Sequence, residues 1–196
     1  MLNELLGQLM GGGTVGQMSQ QVGANEQTTQ NAIMTSLPLL IGAMSQQTST
    51  PEGSNQLMTM LDRDGDGDIM DDLSGFLSDP GRSTGTGNQV VETLFGGQRH
   101  QVENGLSRTT GLNSSQISSL LVMLAPIVLS FLARKKQESS LDSNGVASVL
   151  NQETRNMEQQ GMPLMNVLSG VLDQNKDGSP FDDVMRVAGG LFGGRR

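Results

Sequence analysis

The chemistry this chain could do is concentrated in its aspartates. Of twelve, ten lie in two short windows: Asp62, Asp64, Asp66, Asp68, Asp71 and Asp72 in residues 62–73, and Asp173, Asp177, Asp182 and Asp183 in residues 173–184. These windows hold ten acids and two bases, Arg63 and Lys176, which equals the whole formal charge of −8; elsewhere ten acids and ten bases cancel. A neutral protein with two acidic spots is a poor fit to nucleic-acid phosphates and a good fit to a small cation.

Numbered from Asp62, carboxylates fall at positions 1, 3 and 5 (Asp62, Asp64, Asp66), Gly67 at 6, Asp68 at 7, and Asp71 and Asp72 at 10 and 11. The second window repeats the plan with Asp173, Asn175 and Asp177, then Gly178, Ser179, Asp182 and Asp183. An EF-hand loop uses oxygens at 1, 3 and 5, a glycine at 6 for the sharp turn and a carbonyl at 7, because a hard cation needs six to eight oxygens. Both copies also share one departure: position 12, normally a bidentate Glu, is Leu73 or Val184. Closure would then fall to Asp71 and Asp182, or to Asp72 and Asp183, giving a shorter loop of modest affinity. Calcium leads on ligand number, and Mg²⁺ stays open. Pro180 lacks the amide that pairs two EF-hand loops, so that pairing is not expected.

A metal-free reading stands beside this one. Asp68 and Ser179 could be N-caps, Ile69 and Pro180 first-turn residues, and Asp71 and Asp182 their capping-box partners, with the extra acids favoured by the helix dipole. That explains positions 7 to 11. It leaves Asp62, Asp64 and Asp66 unexplained, since carboxylates on one turn repel by roughly 1 kcal/mol per close pair even in water.

The elements that must position these loops read as helices. Apolar residues make up 35 %, aromatics 3 %, and there is no Trp or Tyr, so a core must come from Leu, Met, Val, Ile and Ala, which suits helices better than sheets. The thirteen methionines suit a soft core or contact surface. Leu2, Leu5, Leu6, Leu9 and Met10 form an apolar stripe stopped by Gly11 to Gly13. A second stripe, Val15, Met18 and Val22, ends at Gly23, and Asn25 can cap a helix over residues 26–45 that Pro38 should kink or break.

The stretch "GANEQTTQNAIMTSLPLLIGAMS" from Gly23 aligns without gaps with "GLNSSQISSLLVMLAPIVLSFLA" from Gly111, at an offset of 88. Gly, Asn and Pro match at 23/111, 25/113 and 38/126, and "LMGG" and "LFGG" precede the two copies. This reads as an internal duplication. The run from Leu120 to Ala133 is apolar almost all round, yet too short and too interrupted by Pro126 for a span of about twenty residues, so a buried central helix is expected.

The expected architecture is all-α: two related helical units with proline-kinked central helices, plus a C-terminal helix-loop-helix segment. The first unit covers residues 1–78, a linker 79–89, the second unit 90–152 and the C-terminal segment 153–196. Polar, turn-forming Ser78 to Gln89 marks the linker.

Other chemistry is thin. Without cysteine there is no disulfide framework, zinc-thiolate site or thiol nucleophile. No GxSxG, HExxH or P-loop pattern occurs, and the sole histidine, His100, reads as a surface residue on a short helix. An enzyme is not expected. The start lacks a basic n-region and a long apolar run, which makes cytoplasm the default, with non-classical export left open.

The stretches "GANEQTTQNA", "SLPLLIGAM", "PEGSNQLMTMLDRDGDGDIMDDLSGFL", "LFGG", "GLNSSQISSLLVMLAPIVLSFLARKK" and "SLDSNGVASVLNQE" resemble the bacterial YidB-like family, a domain of unknown function, over about residues 1–152. The resemblance implies a mostly helical fold in bacteria and no established activity. The metal expectation rests on the spacing instead. The function expected is that of a calcium-binding structural or interaction module, with a protein partner that could be a second copy, no nucleic acid, and little case for a membrane. A self-assembling protein without essential metal, or a membrane-active helical one, are the alternatives.

Overall fold

A computed structural model describes residues 1–64 and 68–160. Within them the fold is all-α, with no strand among the described residues. The helices are α1 (Leu2–Met10), α2 (Thr14–Val22), α3 (Glu26–Gln47), α4 (Pro51–Asp64), α5 (Asp68–Asp71), α6 (Leu73–Ser78), α7 (Pro80–Phe95), α8 (Arg99–Thr110), α9 (Ser114–Glu138) and α10 (Ser143–Gln159), with a 3-10 turn at Gly96–Gln98.

Local chemistry sets many of these ends. Asn25 and Asn113 accept hydrogen bonds from the backbone N–H groups of Thr28 and Gln116, each three residues on, as N-caps do. Gly23 and Gly111 close α2 and α8 with φ of 68° and 81°, a left-handed backbone that glycine adopts without a Cβ penalty. The two corners meet: the Gln116 side chain completes the α9 capping box and also donates to the Gly23 carbonyl at 2.9 Å. The two glycine-and-asparagine corners therefore lie side by side.

The central helix is α9. Every residue from Leu120 to Ala133 is buried, as a helix apolar on all sides requires. By length and composition α9 could cross a membrane, but 83 % of its most apolar stretch is inside the fold. It is wrapped by α2, α3, α4, α5, α7 and α8. Met18, Met44, Met60, Met123 and Met157 are all in the core, while Met34 is half exposed. One hydrophobic core joins residues from α1 through to α10.

Two expectations change. Residues 80–89, read as linker, are the first ten residues of α7. Composition misled there because α7 is held from outside by its packing on α9, through buried Val90 and Val91 and a close approach at Gly87. Nor do the prolines break their helices, the stronger of the two outcomes expected of them: α3 runs through Pro38 and α9 through Pro126. A proline leaves the carbonyl four residues earlier without its helical donor. For Pro126 that is Val122, whose carbonyl oxygen occupies the place where a Cβ on Gly87 would sit. The orphaned acceptor thus faces the Cα–H of a glycine, a weak but recurrent helix-helix contact.

Candidate functional site

The described residues of the first acidic window lie where α4 and α5 meet the C-terminal end of α9, with α6 packed against α5, α2 and α7. Apolar anchors fix them there: Leu57, Met60 and Leu61 on α4, Ile69 on α5, and Phe76 and Leu77 on α6 are buried. Helix α4 runs through Asp64 and α5 begins at Asp68. Of the stretch expected to be a twelve-residue loop, the described residues thus belong to two helices and to the cap and first residue of a third, and residues 65–67 lie outside the described ones.

The carboxylates described at this place have protein partners. Asp62 accepts from Lys136, and Asp71 accepts from Arg134 at 3.0 Å. Both acids are exposed, at 64 % and 68 %. Asp72, expected with Asp71 as one of two alternative cage-closing ligands, is the N-cap of α6 and accepts from the Gly75 backbone N–H at 2.8 Å. The capping role foreseen for Asp68 and Asp71 at the start of α5 falls on side chains and backbone that lie partly outside the described residues. Asp66 and the side chains of Asp64 and Asp68 lie outside the described residues. So do Asp173, Asn175, Asp177, Ser179, Asp182 and Asp183, with the rest of the C-terminal segment. Among the described residues, no three Asp, Glu or His side chains converge as a metal cage would need.

The basic end of α9 is what spacing alone could not supply. Arg134, Lys135 and Lys136 follow the apolar run directly, and Lys135 and Lys136 fall in the last turn, where cations complement the helix dipole. Lys135 takes Glu4 of α1 at 3.1 Å and Glu138 at 3.3 Å, and lies 5.7 Å above the Phe131 ring. Hydrogen bonding to Glu4 raises its pKa above the ordinary lysine value, against a smaller opposing effect of burial. One helix end thus gathers acids from α1, α4 and α5. The sequence signal was the triplet "RKK", whose partners are 63 and 74 residues away for Arg134 and Lys136.

His100 sits on the surface of α8, 91 % exposed, with Nδ1 3.3 Å from a Glu103 oxygen.

Compared with known proteins, the chain matches one family model, described as "Bacterial protein of unknown function (DUF937)", over residues 4–135. No curated protein and no solved structure matches it. The matched span runs from α1 to the basic end of α9, taking in both proline-bearing helices and the acidic turn between them, and the chain belongs to this bacterial family of unknown function.

Proposed function

We propose that the chain is a calcium-binding structural module, YidB-like in its motifs, in which metal and the basic end of α9 compete for the acidic turn. The observation that carries this reading is the repeated spacing of oxygen-bearing residues, Asp62, Asp64 and Asp66 before Gly67 and Asp173, Asn175 and Asp177 before Gly178. The geometry supplies the competition. Asp62 and Asp71 each hold one cationic side chain, in water-exposed pairs worth about 1 kcal/mol or less. A divalent ion with several oxygen ligands can displace such partners. Metal uptake would then pull Asp62 and Asp71 away from Lys136 and Arg134 and loosen α4 and α5 from the end of α9, while the Asp72 cap keeps α6 in place.

The test is thermal unfolding of the full chain with and without calcium. An affinity of order 10⁻⁴ M implies roughly 1.4 kcal/mol of stabilisation at about 1 mM calcium, a rise of several degrees. Asp62→Ala with Asp173→Ala should remove the rise. A melting temperature that ignores millimolar calcium rejects the proposal.

A further inference from the structure

A second polar constellation lies at the other end of α9, and its centre is Arg99. The guanidinium donates from Nε to Glu103 at 2.9 Å, from Nη1 and Nη2 to the Asn88 side-chain oxygen at 3.2 Å, and from Nη2 to the Ser118 hydroxyl at 2.8 Å. These bonds fix its plane. They also leave one Nη1 N–H unused, because a guanidinium carries five. Glu103 behind it is only 6 % exposed, whereas Arg99 keeps 22 % of its side chain in contact with solvent. Burying such a pair has a desolvation cost that an apolar pair would not. Here the buried carboxylate holds a rigid cation at the wall of a cleft.

The cleft has a volume of about 300 Å³ between α2, α7, α8 and α9, at the lower end of the range for small-molecule sites. Its floor is apolar, Val122 and Met123, and its rim carries Thr84 from α7, Ser119 from α9 and Gln21 from α2. Gln21 uses its amide N–H on the Leu77 carbonyl and Ser119 its hydroxyl proton on the Ser115 carbonyl, so both present oxygen lone pairs. Thr84 can donate or accept. Among the described residues no carboxylate lines the cleft. The wall therefore offers one oriented positive charge, several acceptors, a few donors and a small apolar face.

We propose that this cleft binds a small polyhydroxylated carboxylate of the sugar-acid class, with the acid group on Arg99, the hydroxyls on Thr84, Ser119 and Gln21, and the C–H face of the ligand on Val122 and Met123. A charge-assisted contact to the one N–H that Arg99 has left selects the carboxylate. The acceptors on the rim select hydroxyl protons, which a simple carboxylate lacks. This site is separate from the acidic turn and does not depend on metal.

The experiment is amide-resonance titration of the full chain with D-glucuronate, with D-glucose and acetate as the uncharged and unhydroxylated counterparts. Glucuronate should shift resonances around Thr84, Arg99 and Ser119 saturably in the millimolar range, and each counterpart should bind about tenfold more weakly. Arg99→Lys should lose that preference over glucose. Because Arg99 also braces the fold, Thr84→Phe is the second variant: its exposed side chain is outside the bonded network, so the melting temperature should hold while glucuronate binding disappears. No saturable shift with glucuronate overturns the proposal. Equal binding of glucose removes the role of Arg99, and equal binding of acetate removes that of the rim. Unchanged glucuronate binding in Thr84→Phe overturns the location.

Discussion

The two ends of α9 use similar chemistry, arginine or lysine against carboxylate, at opposite degrees of burial. Near its start, Ser118 completes a network in which Glu103 is 6 % exposed. At its finish, Arg134 and Lys136 hold Asp71 and Asp62, which are mostly in water. Ser118 and Arg134 are sixteen residues apart, or about 24 Å along a helix. The buried pair has little alternative to its present partners, so it fixes shape. The exposed pairs can exchange protein partners for ions at small cost, which makes that end responsive.

The largest effect should come from breaking the buried pair. Glu103→Ala leaves Arg99 without its counter-charge and should cost about 3 kcal/mol, read by urea unfolding. The same carboxylate should make stability pH-dependent. Burial alone would raise its pKa, but hydrogen bonds from Arg99 and Ser118 and the charges of Arg99 and His100 outweigh this and lower it below 4.5. A lowered carboxylate pKa contributes stability that is present above the ordinary value and is lost as pH falls through the folded one. The loss should therefore begin below about pH 4.5 and be absent in Glu103→Gln.

Next is the helix contact that sets the spacing at this end. Gly87→Ala would press a methyl group onto the Val122 carbonyl, a backbone atom that cannot swing aside, and should cost about 2 kcal/mol. At the other end, Asp72→Ala removes the α6 cap for about 1 kcal/mol, and Asp72→Asn should restore most of it. The smallest effects are those of Arg134→Ala and Lys136→Ala, each about 0.5 kcal/mol and fading in about 1 M salt. A loss near 3 kcal/mol at Lys136 would erase the distinction between the two ends.

The parts of this fold visible in the sequence are those fixed by near neighbours. Gly23 and Gly111 as stops, Asn25 and Asn113 as caps, and the buried run of α9 all follow from residues within a turn or two. Helix α7 was not visible, because three glycines and no apolar residue in its first ten positions say turn, and only the Val122 carbonyl on another helix explains Gly87. That the helices run on through their prolines has a related reason: they are held by the core they lie in. The site divides in the same way. Regular spacing exposed the aspartates, but the cations that hold Asp62 and Asp71 come from another helix. Arg99 and Glu103 are four residues apart on α8, so their pairing is local, whereas Asn88 and Ser118 reach them from α7 and α9.

The most direct test of competition at the acidic turn is the calcium affinity of the Arg134→Ala, Lys136→Ala double variant, measured beside the unmodified chain by isothermal titration. Freed of two competing cations worth about 0.5 kcal/mol each, the turn should bind calcium roughly fivefold more tightly. Equal or weaker binding by the double variant would contradict the account.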